Sequence, residues 1–161
     1  MTFETVRQRA FKALSQIGIA YHKSPLSKAL GTLPRSAPRP GERFPWMKLR
    51  MKQNGPVEDL FQALDDRHFN LLLFGQPDAL AQTPIDMCPL VRPHAIPVDA
   101  GNAAELARMN VPSPSYFLLR PDGHIAASGA KFDALAVERF LAPWIEAEDE
   151  SIIRLDRRRA A

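Results

Sequence analysis

The hexapeptide FNLLLF at residues 69–74 is apolar at every position except Asn70. Such a run is typical of a strand that is covered on both faces of a sheet. We therefore predict a core strand there, and the flanking patterns place it in an α/β fold. Apolar residues at helical spacing predict a short helix before it, beginning at Pro56: Val57, Leu60, Phe61 and Leu64.

After this strand the sequence alternates between helical and extended segments. Residues 78–83 begin a predicted helix, and residues 94–98 form a second predicted strand. The spacing of Asn102 and Glu105 is typical of a reciprocal cap at the start of a helix. Asn110 suits the left-handed residue that ends that helix.

The last third of the chain predicts a hairpin and a closing helix. Strands at 115–119 and 124–127 flank the turn sequence PDG at 121–123. Strands joined through a helix lie parallel and strands joined by a tight turn lie antiparallel, so the order predicts a mixed four-stranded central sheet flanked by helices. This is a thioredoxin-like fold. The closing helix is predicted from its apolar face: Val137, Phe140, Leu141, Trp144 and Ile145.

The N-terminal third has a different character. Apolar residues at three- and four-residue spacing predict an N-terminal helix over 3–17. Residues 22–45 carry five prolines, which predicts a proline-rich, extended arm. The alternation of Met47, Leu49 and Met51 with cations predicts a half-buried edge strand, and Asn54-Gly55 suits the turn after it.

Charge divides the chain at nearly the same place. Residues 1–55 hold eleven Lys or Arg against two Glu, whereas residues 56–153 hold fifteen acidic against six basic side chains, although the net charge is only +3. We expect three parts: the N-terminal helix, arm and edge strand at 1–55, a thioredoxin-like core at 56–150, and a basic tail at 151–161. An acidic body argues against nucleic-acid binding. No apolar run approaches the ~20 residues of a membrane span, so no membrane partner is expected.

Several stretches resemble the C-terminal thioredoxin-like domain of FAD-dependent aromatic-ring hydroxylases, the flavoprotein monooxygenases of the phenol and para-hydroxybenzoate hydroxylase type. The resemblance covers roughly residues 3–145. The stretches that carry it are VDAGNAAELARMNV at 98–111 with Pro114, LLRPDGHIA at 118–126, PGERFPW at 40–46, the strand at 69–75, and SQIGIAY at 15–21 with SPLS at 24–27.

The resemblance implies a structural domain that contributes to subunit contacts. The chain has no Gly-x-Gly-x-x-Gly motif after a strand, so no residue is assigned to flavin and no cofactor is expected. We expect a non-catalytic cytoplasmic module that forms a homodimer or serves a flavoprotein monooxygenase. Trp46, Met47 and Leu49, which follow the arm, are the interface candidates. A basic arm that binds an anionic partner is a further alternative.

Thioredoxin chemistry needs a Cys-x-x-Cys pair at the start of the helix after the first core strand. The matching residues here are Gly75, Gln76, Pro77 and Asp78, a degenerate active-site position without a thiol. The resemblance to thioredoxin-like folds makes Pro114 a candidate cis-proline. Cys88 is the single cysteine, and a thiol redox or peroxide-responsive protein that uses it is the alternative function.

Metal and hydrolase sites are not predicted. The four histidines, His22, His68, His94 and His124, lack the three- or four-residue spacing that places two ligands on one helix face. A Gly-x-Ser-x-Gly nucleophile motif is also absent.

Overall fold

A computed structural model describes residues 24–79 and 90–143, which form an α/β fold with a mixed sheet at its centre. The strands are β1 Lys28–Ala29, β2 Lys48–Arg50, β3 Val57–Asp59, β4 Phe69–Phe74, β5 Val91–Ile96, β6 Ser115–Leu119 and β7 Ile125–Gly129. The helices are α1 Leu60–Ala63, α2 Ala100–Arg108 and α3 at 134–143.

The central sheet has five strands in the order β1-β7-β6-β4-β5. As predicted, β4 pairs in parallel with β5, and β6 pairs antiparallel with β7. In addition, β6 pairs antiparallel with β4. The prediction of four strands was wrong by one, because the arm contributes β1, which lies parallel to β7 at the edge. Only two residues, Lys28 and Ala29, form this strand. The proline-rich sequence around them does not predict a strand.

A second, two-stranded sheet precedes the core. β2 pairs antiparallel with β3 through a turn in which Asn54 takes a φ of 59°. The helix predicted from Pro56 is therefore wrong in its first part, since Val57–Asp59 is extended and only Leu60–Ala63 is helical. Asp59 caps that short helix, where its side chain accepts a hydrogen bond from Phe61 N.

The segment between β4 and β6 departs from prediction at two points. β5 runs from Val91 to Ile96, so it begins before the predicted residue 94 and stops before Pro97. As an edge strand it can contain Pro93, since an outward-facing N–H is not needed there. The cap of α2 is Asp99, three residues before the predicted Asn102. Asn110 has the expected left-handed backbone, with a φ of 55°.

Both faces of the sheet are buried, as the apolar run of β4 predicts. Its alternating side chains enter two separate cores, with Leu72 and Phe74 on one face and Leu71 and Leu73 on the other. α3 covers the second face. The first face is covered by side chains from the arm, from β2 and the residue before it, from α1, and from α2 and the segment after it: Phe44, Met47, Leu49, Leu60, Leu106 and Val111.

The arm follows the edge of the sheet. Gly41 N donates to Ile125 O at 2.8 Å, Ile125 N donates to Glu42 O at 2.9 Å, and Phe44 N donates to Gly123 O at 2.9 Å. Phe44 itself is buried and meets the Phe117 ring edge-on, with the ring centroids 5.1 Å apart. The arm therefore packs into the same hydrophobic core as the central sheet.

Other predicted features lie outside the described residues: the helix over 3–17, most of the helix begun at 78–83, Cys88, the end of the closing helix, and the basic tail. Within residues 24–79 and 90–143, no helix is long and apolar enough to cross a membrane.

Candidate functional site

Residues 75–78, predicted from the sequence as a degenerate active-site position, follow the carboxyl end of β4, where Gly75 lies beside the loop that leads into β6. Gly75 has a φ of 63°, and a Cβ atom placed on it would lie 2.3 Å from Ser113 Oγ and 3.7 Å from Pro114 Cα. The fold thus brings together Gly75 and Pro114, which are far apart in sequence. The Ser113–Pro114 peptide bond is cis, in agreement with the expectation.

Gln76 connects this position to the loop before α3. Its Oε1 accepts a hydrogen bond from Phe132 N at 2.8 Å, and Phe132 meets the Tyr116 ring edge-on at a centroid distance of 5.5 Å. Burial of Tyr116, with a smaller effect from Asp133, raises the pKa of the phenol to about 12. Tyr116 therefore stays neutral at physiological pH, and its ring serves packing.

The residues gathered here suit packing and binding, since the described part of this site contains an amide, a hydroxyl, the Asp78 carboxylate and backbone groups but no thiol. Asp78 is exposed, and Ala79 N closes a turn by donating to Gln76 O at 3.1 Å. Cys88 lies outside the described residues. Without two thiols, positions 75–78 cannot perform dithiol exchange.

The hairpin formed by β2 and β3 presents the second candidate surface. Trp46 is 50% exposed and Val57 is 57% exposed. Trp46 Nε1 donates to Asp59 Oδ2 at 2.7 Å, and Lys48 Nζ lies 5.8 Å from the centroid of the indole ring. These four residues border a shallow groove of about 630 Å³.

Two of the three interface candidates are not available on this surface. Met47 and Leu49 have no exposed area, because their side chains enter the core beside Phe44 and Leu60. The alternation of this strand indicated one buried face, and the structure turns the apolar face inward and the cationic face outward. The interface interpretation therefore fails for Met47 and Leu49, and Trp46 is exposed on the outer face.

Sequence reasoning missed Val57 and Asp59 as members of the hairpin surface. The pattern assigned Val57 to the buried face of a helix, whereas Val57 begins β3 and its side chain is exposed. The signal was available in part, because a turn sequence at Asn54-Gly55 between two short alternating segments is typical of a hairpin. In the described parts of the chain, no group of three or more His, Cys, Asp or Glu residues could hold a metal ion.

Residues 37–147 match the sequence family described as aromatic-ring hydroxylase, C-terminal. This chain belongs to that family. The match covers more than half of the chain and confirms the resemblance that the motifs at 40–46, 98–111 and 118–126 carried. A comparison with curated proteins found no match.

Two solved structures are similar in fold to this family member. One is a ternary complex of aklavinone-11 hydroxylase with FAD and aklavinone, with a TM-score of 0.56 and 23% identity over 78% of this chain. The other is the flavin-dependent monooxygenase PieE in complex with FAD and substrate, with a TM-score of 0.54 and 21% identity over 88% of this chain. The matched regions are only 26% and 30% of those two proteins.

Proposed function

We propose that this chain is a non-catalytic, thioredoxin-like module that acts by association, either with a second copy of itself or with a flavoprotein hydroxylase. The strand order β5-β4-β6-β7, with one parallel and two antiparallel pairings, supports the thioredoxin-like assignment. The family supports the connection with aromatic-ring hydroxylases. The proposed location is the cytoplasm.

The observation that carries the proposal is the composition of the position at the carboxyl end of β4. A thioredoxin-like oxidoreductase would carry its reactive sulfur pair there, where the following helix lowers the pKa of the nucleophile. This chain has Gly75, Gln76, Pro77 and Asp78 instead, and the Gln76 carboxamide is engaged by Phe132 N. A thioredoxin-like fold without that sulfur pair has no dithiol chemistry, and its surfaces remain available for binding a partner.

The two flavoproteins of similar fold support a connection with flavin-dependent oxidation. Both were solved with FAD, and the chain matches about a quarter to a third of each. We propose that the residues of this chain bind no flavin themselves, since no Gly-x-Gly-x-x-Gly motif follows a strand in them.

The outer face of the β2–β3 hairpin is the surface we propose for this association. Trp46 and Val57 expose apolar area, and large aromatic side chains are common anchors in interfaces. Lys48, Glu58 and Asp59 flank them with one positive and two negative charges. A surface of this composition suits a protein partner better than a polyanion.

The test compares the purified chain with two surface variants. We expect a colourless protein that does not reduce insulin disulfides and that either dimerises in light scattering or co-purifies with a flavoprotein. The double variant W46A/V57S should weaken that association at least about tenfold, because hot-spot residues dominate binding energy.

Leu135→Ser is the matched control, since Leu135 is 52% exposed on another part of the surface. It should leave association unchanged. Tightly bound flavin or insulin reduction by the isolated chain would overturn the non-catalytic assignment. Equal weakening by L135S would remove the hairpin as the interface while leaving the association itself standing.

A further inference from the structure

The outer edge of β2 in the hairpin is closed by side chains of α2. Arg50 N donates to Asn102 Oδ1 at 2.8 Å, and Asn102 Nδ2 donates to Arg50 O at 3.0 Å. Lys48 N donates to Glu105 Oε1 at 3.4 Å. Asn102 therefore bonds this edge as a neighbouring strand would, and both outward N–H groups of β2 have an acceptor.

The outer edge of β3 has no such cover. Arg50 pairs with Val57 in the register, yet its backbone groups face α2 instead of β3. Backbone groups alternate in direction along antiparallel strands, so those of Val57 and Asp59 point away from β2. Among the described residues, no hydrogen bond engages Val57 N, Val57 O or Asp59 N. The hairpin is thus a sheet with one closed edge and one open edge.

The groove of about 630 Å³ lies along this open edge, and all three residues of β3 line it. Val57 is 57% exposed there. The Asp59 carboxylate is engaged, because it accepts from Trp46 Nε1 at 2.7 Å and from Phe61 N at 2.9 Å. In the part of the chain that the structure describes, the exposed Glu58 carboxylate has neither a hydrogen-bond donor nor an ion-pair partner. The open edge therefore combines unused backbone groups with an apolar side chain and an unpaired negative charge.

We propose that β3 binds an extended segment of a second, different protein as an added strand, with a Lys or Arg of that segment opposite Glu58. This inference rests on the proposed function, for which it names the mode of binding and the chemistry of the partner. The three unused backbone groups of Val57 and Asp59 supply the attachment, and the groove selects the side chains of the segment. Apolar residues beside the cation pack against Val57.

The charge at the centre of β3 favours a different protein over a second copy. A twofold pairing of β3 with itself that uses both Val57 and Asp59 is centred on Glu58. It would place two Glu58 carboxylates opposite each other, and like charges directly opposite destabilise a strand pair. A cationic side chain at the same place is attracted instead. Charge complementarity thus specifies a basic segment.

The experiment titrates the full chain, labelled with ¹⁵N, with two synthetic peptides whose ends are blocked, TVTKTVT and TVTETVT. The peptides differ only in the central charge. We expect the Lys peptide to shift the amide signals of Val57 and Asp59 in NMR spectra and to bind about fivefold more tightly than the Glu peptide, as expected for one exposed ion pair. Added salt should reduce this preference. Equal binding of the two peptides, or no shift at Val57 and Asp59 with millimolar Lys peptide, would overturn the proposal.

Variants separate the charge from the backbone groups. Glu58→Lys should reverse the order of the two peptides, whereas Asp66→Lys, the same change of charge at an exposed residue outside the groove, should leave it unchanged. Val57→Pro removes the outward N–H group and leaves the pairing with β2 in place, so it should weaken both peptides. Circular dichroism checks that each variant is folded. Unchanged peptide preference in E58K would contradict the role of Glu58.

The outcome is separable from that of the proposed function. If W46A/V57S weakens association with the partner but E58K does not, the outer face binds the partner and the open edge does not, which overturns this inference alone. If the chain neither dimerises nor co-purifies with a flavoprotein, the proposed function fails, and the peptides still test the open edge. Shifts at Val57 and Asp59 that grow with the concentration of the chain itself would identify a second copy as the occupant and overturn the proposal of a different protein.

Discussion

The two ends of β4 carry opposite kinds of chemistry. At the carboxyl end, Gly75 lies against Ser113 and Pro114, and Gln76 is bonded to the backbone of Phe132. At the amino end, the Asn70 side chain hydrogen-bonds to the loop before β4 and to His94 of the neighbouring strand β5. The carboxyl end thus consists of packed neutral groups beside the exposed Asp78 carboxylate, while a hydrogen-bonded cluster that includes titratable groups lies at the other end.

This difference has a physical basis in the groups that each end must satisfy. At the carboxyl end the Ser113 side chain lies close to Gly75, and a residue without a Cβ leaves room for it. The amino end has loop carbonyls and N–H groups beside a buried side chain, which a carboxamide satisfies. We expect substitutions at the amino end to affect stability and titration together, and substitutions at the carboxyl end to affect stability alone.

The largest effect is expected from Asn70→Ala. Asn70 is buried and takes part in four hydrogen bonds, so its loss leaves several polar groups without their partner. The free energy of unfolding should fall by about 2–4 kcal/mol. Urea unfolding followed by circular dichroism measures this change.

Asn102→Ala is the matched control. Asn102 is also buried, and it bonds Arg50 N at 2.8 Å, Arg50 O at 3.0 Å and Pro97 O at 2.7 Å. It should cost a similar amount, but only N70A should alter the titration of His94. If both variants alter that titration equally, the amino end of β4 has no special role and the contrast between the ends fails.

A smaller loss is expected from Gly75→Ala at the carboxyl end. The left-handed backbone at a φ of 63° disfavours a side chain by about 1–2 kcal/mol, and the added Cβ also meets Ser113 Oγ. In the background of Ser113→Ala, the steric part should disappear and the backbone part remain. Thermal unfolding of the four proteins in this cycle separates the two parts.

The same proteins test the contrast between the two ends. The dependence of stability on pH should be identical in G75A and in the parent chain. A changed pH dependence in G75A would show that the two ends are coupled through β4.

The parts of the fold that the sequence predicted are those where local chemistry decides the outcome. The run of residues 69–74 can only be satisfied between two apolar layers, so the buried central strand was predictable. Asn110 and the turn at 121–123 require left-handed backbone, which Asn and Gly accept readily. These features do not depend on what the rest of the chain does.

The parts that the sequence did not predict depend on distant partners. Residues 57–59 fit one face of a helix by spacing, but β2 pairs with them across the turn and makes them a strand. Asn102 fits a cap by pattern, but Asp99 takes the cap and Asn102 bonds Arg50, which is 52 positions earlier in the chain.

The same limit applies to the candidate sites. The position at 75–78 was predictable because its place after the core strand is fixed by the strand itself. The burial of Met47 and Leu49 was not, since alternation indicates that one face is buried but does not say against what. His68 and His94 lack any spacing signal, because Arg92 contacts His68, and His94 contacts Asn70, only when β4 and β5 pair.

The smallest effect concerns acidification of the unmodified chain. Burial lowers the pKa of His94, with a smaller opposing effect from Asp65. In the unfolded chain, this histidine titrates near its ordinary value of about 6.5 and binds a proton that the folded state does not. The free energy of unfolding should therefore fall as the pH drops through that value, and the loss should be complete below the folded pKa.

Urea unfolding at about pH 7.5 and about pH 5.5 measures this loss, with His94→Gln as the variant that cannot titrate. The lowered pKa of Asp65 acts in another range, because the stability it contributes is present above its ordinary carboxyl value of 3.8 and is lost only at lower pH. The parent chain should lose stability over this interval, and H94Q should lose less. An equal loss in both proteins would place the acid sensitivity elsewhere, and the amino end of β4 would then resemble the carboxyl end in making no contribution through titration.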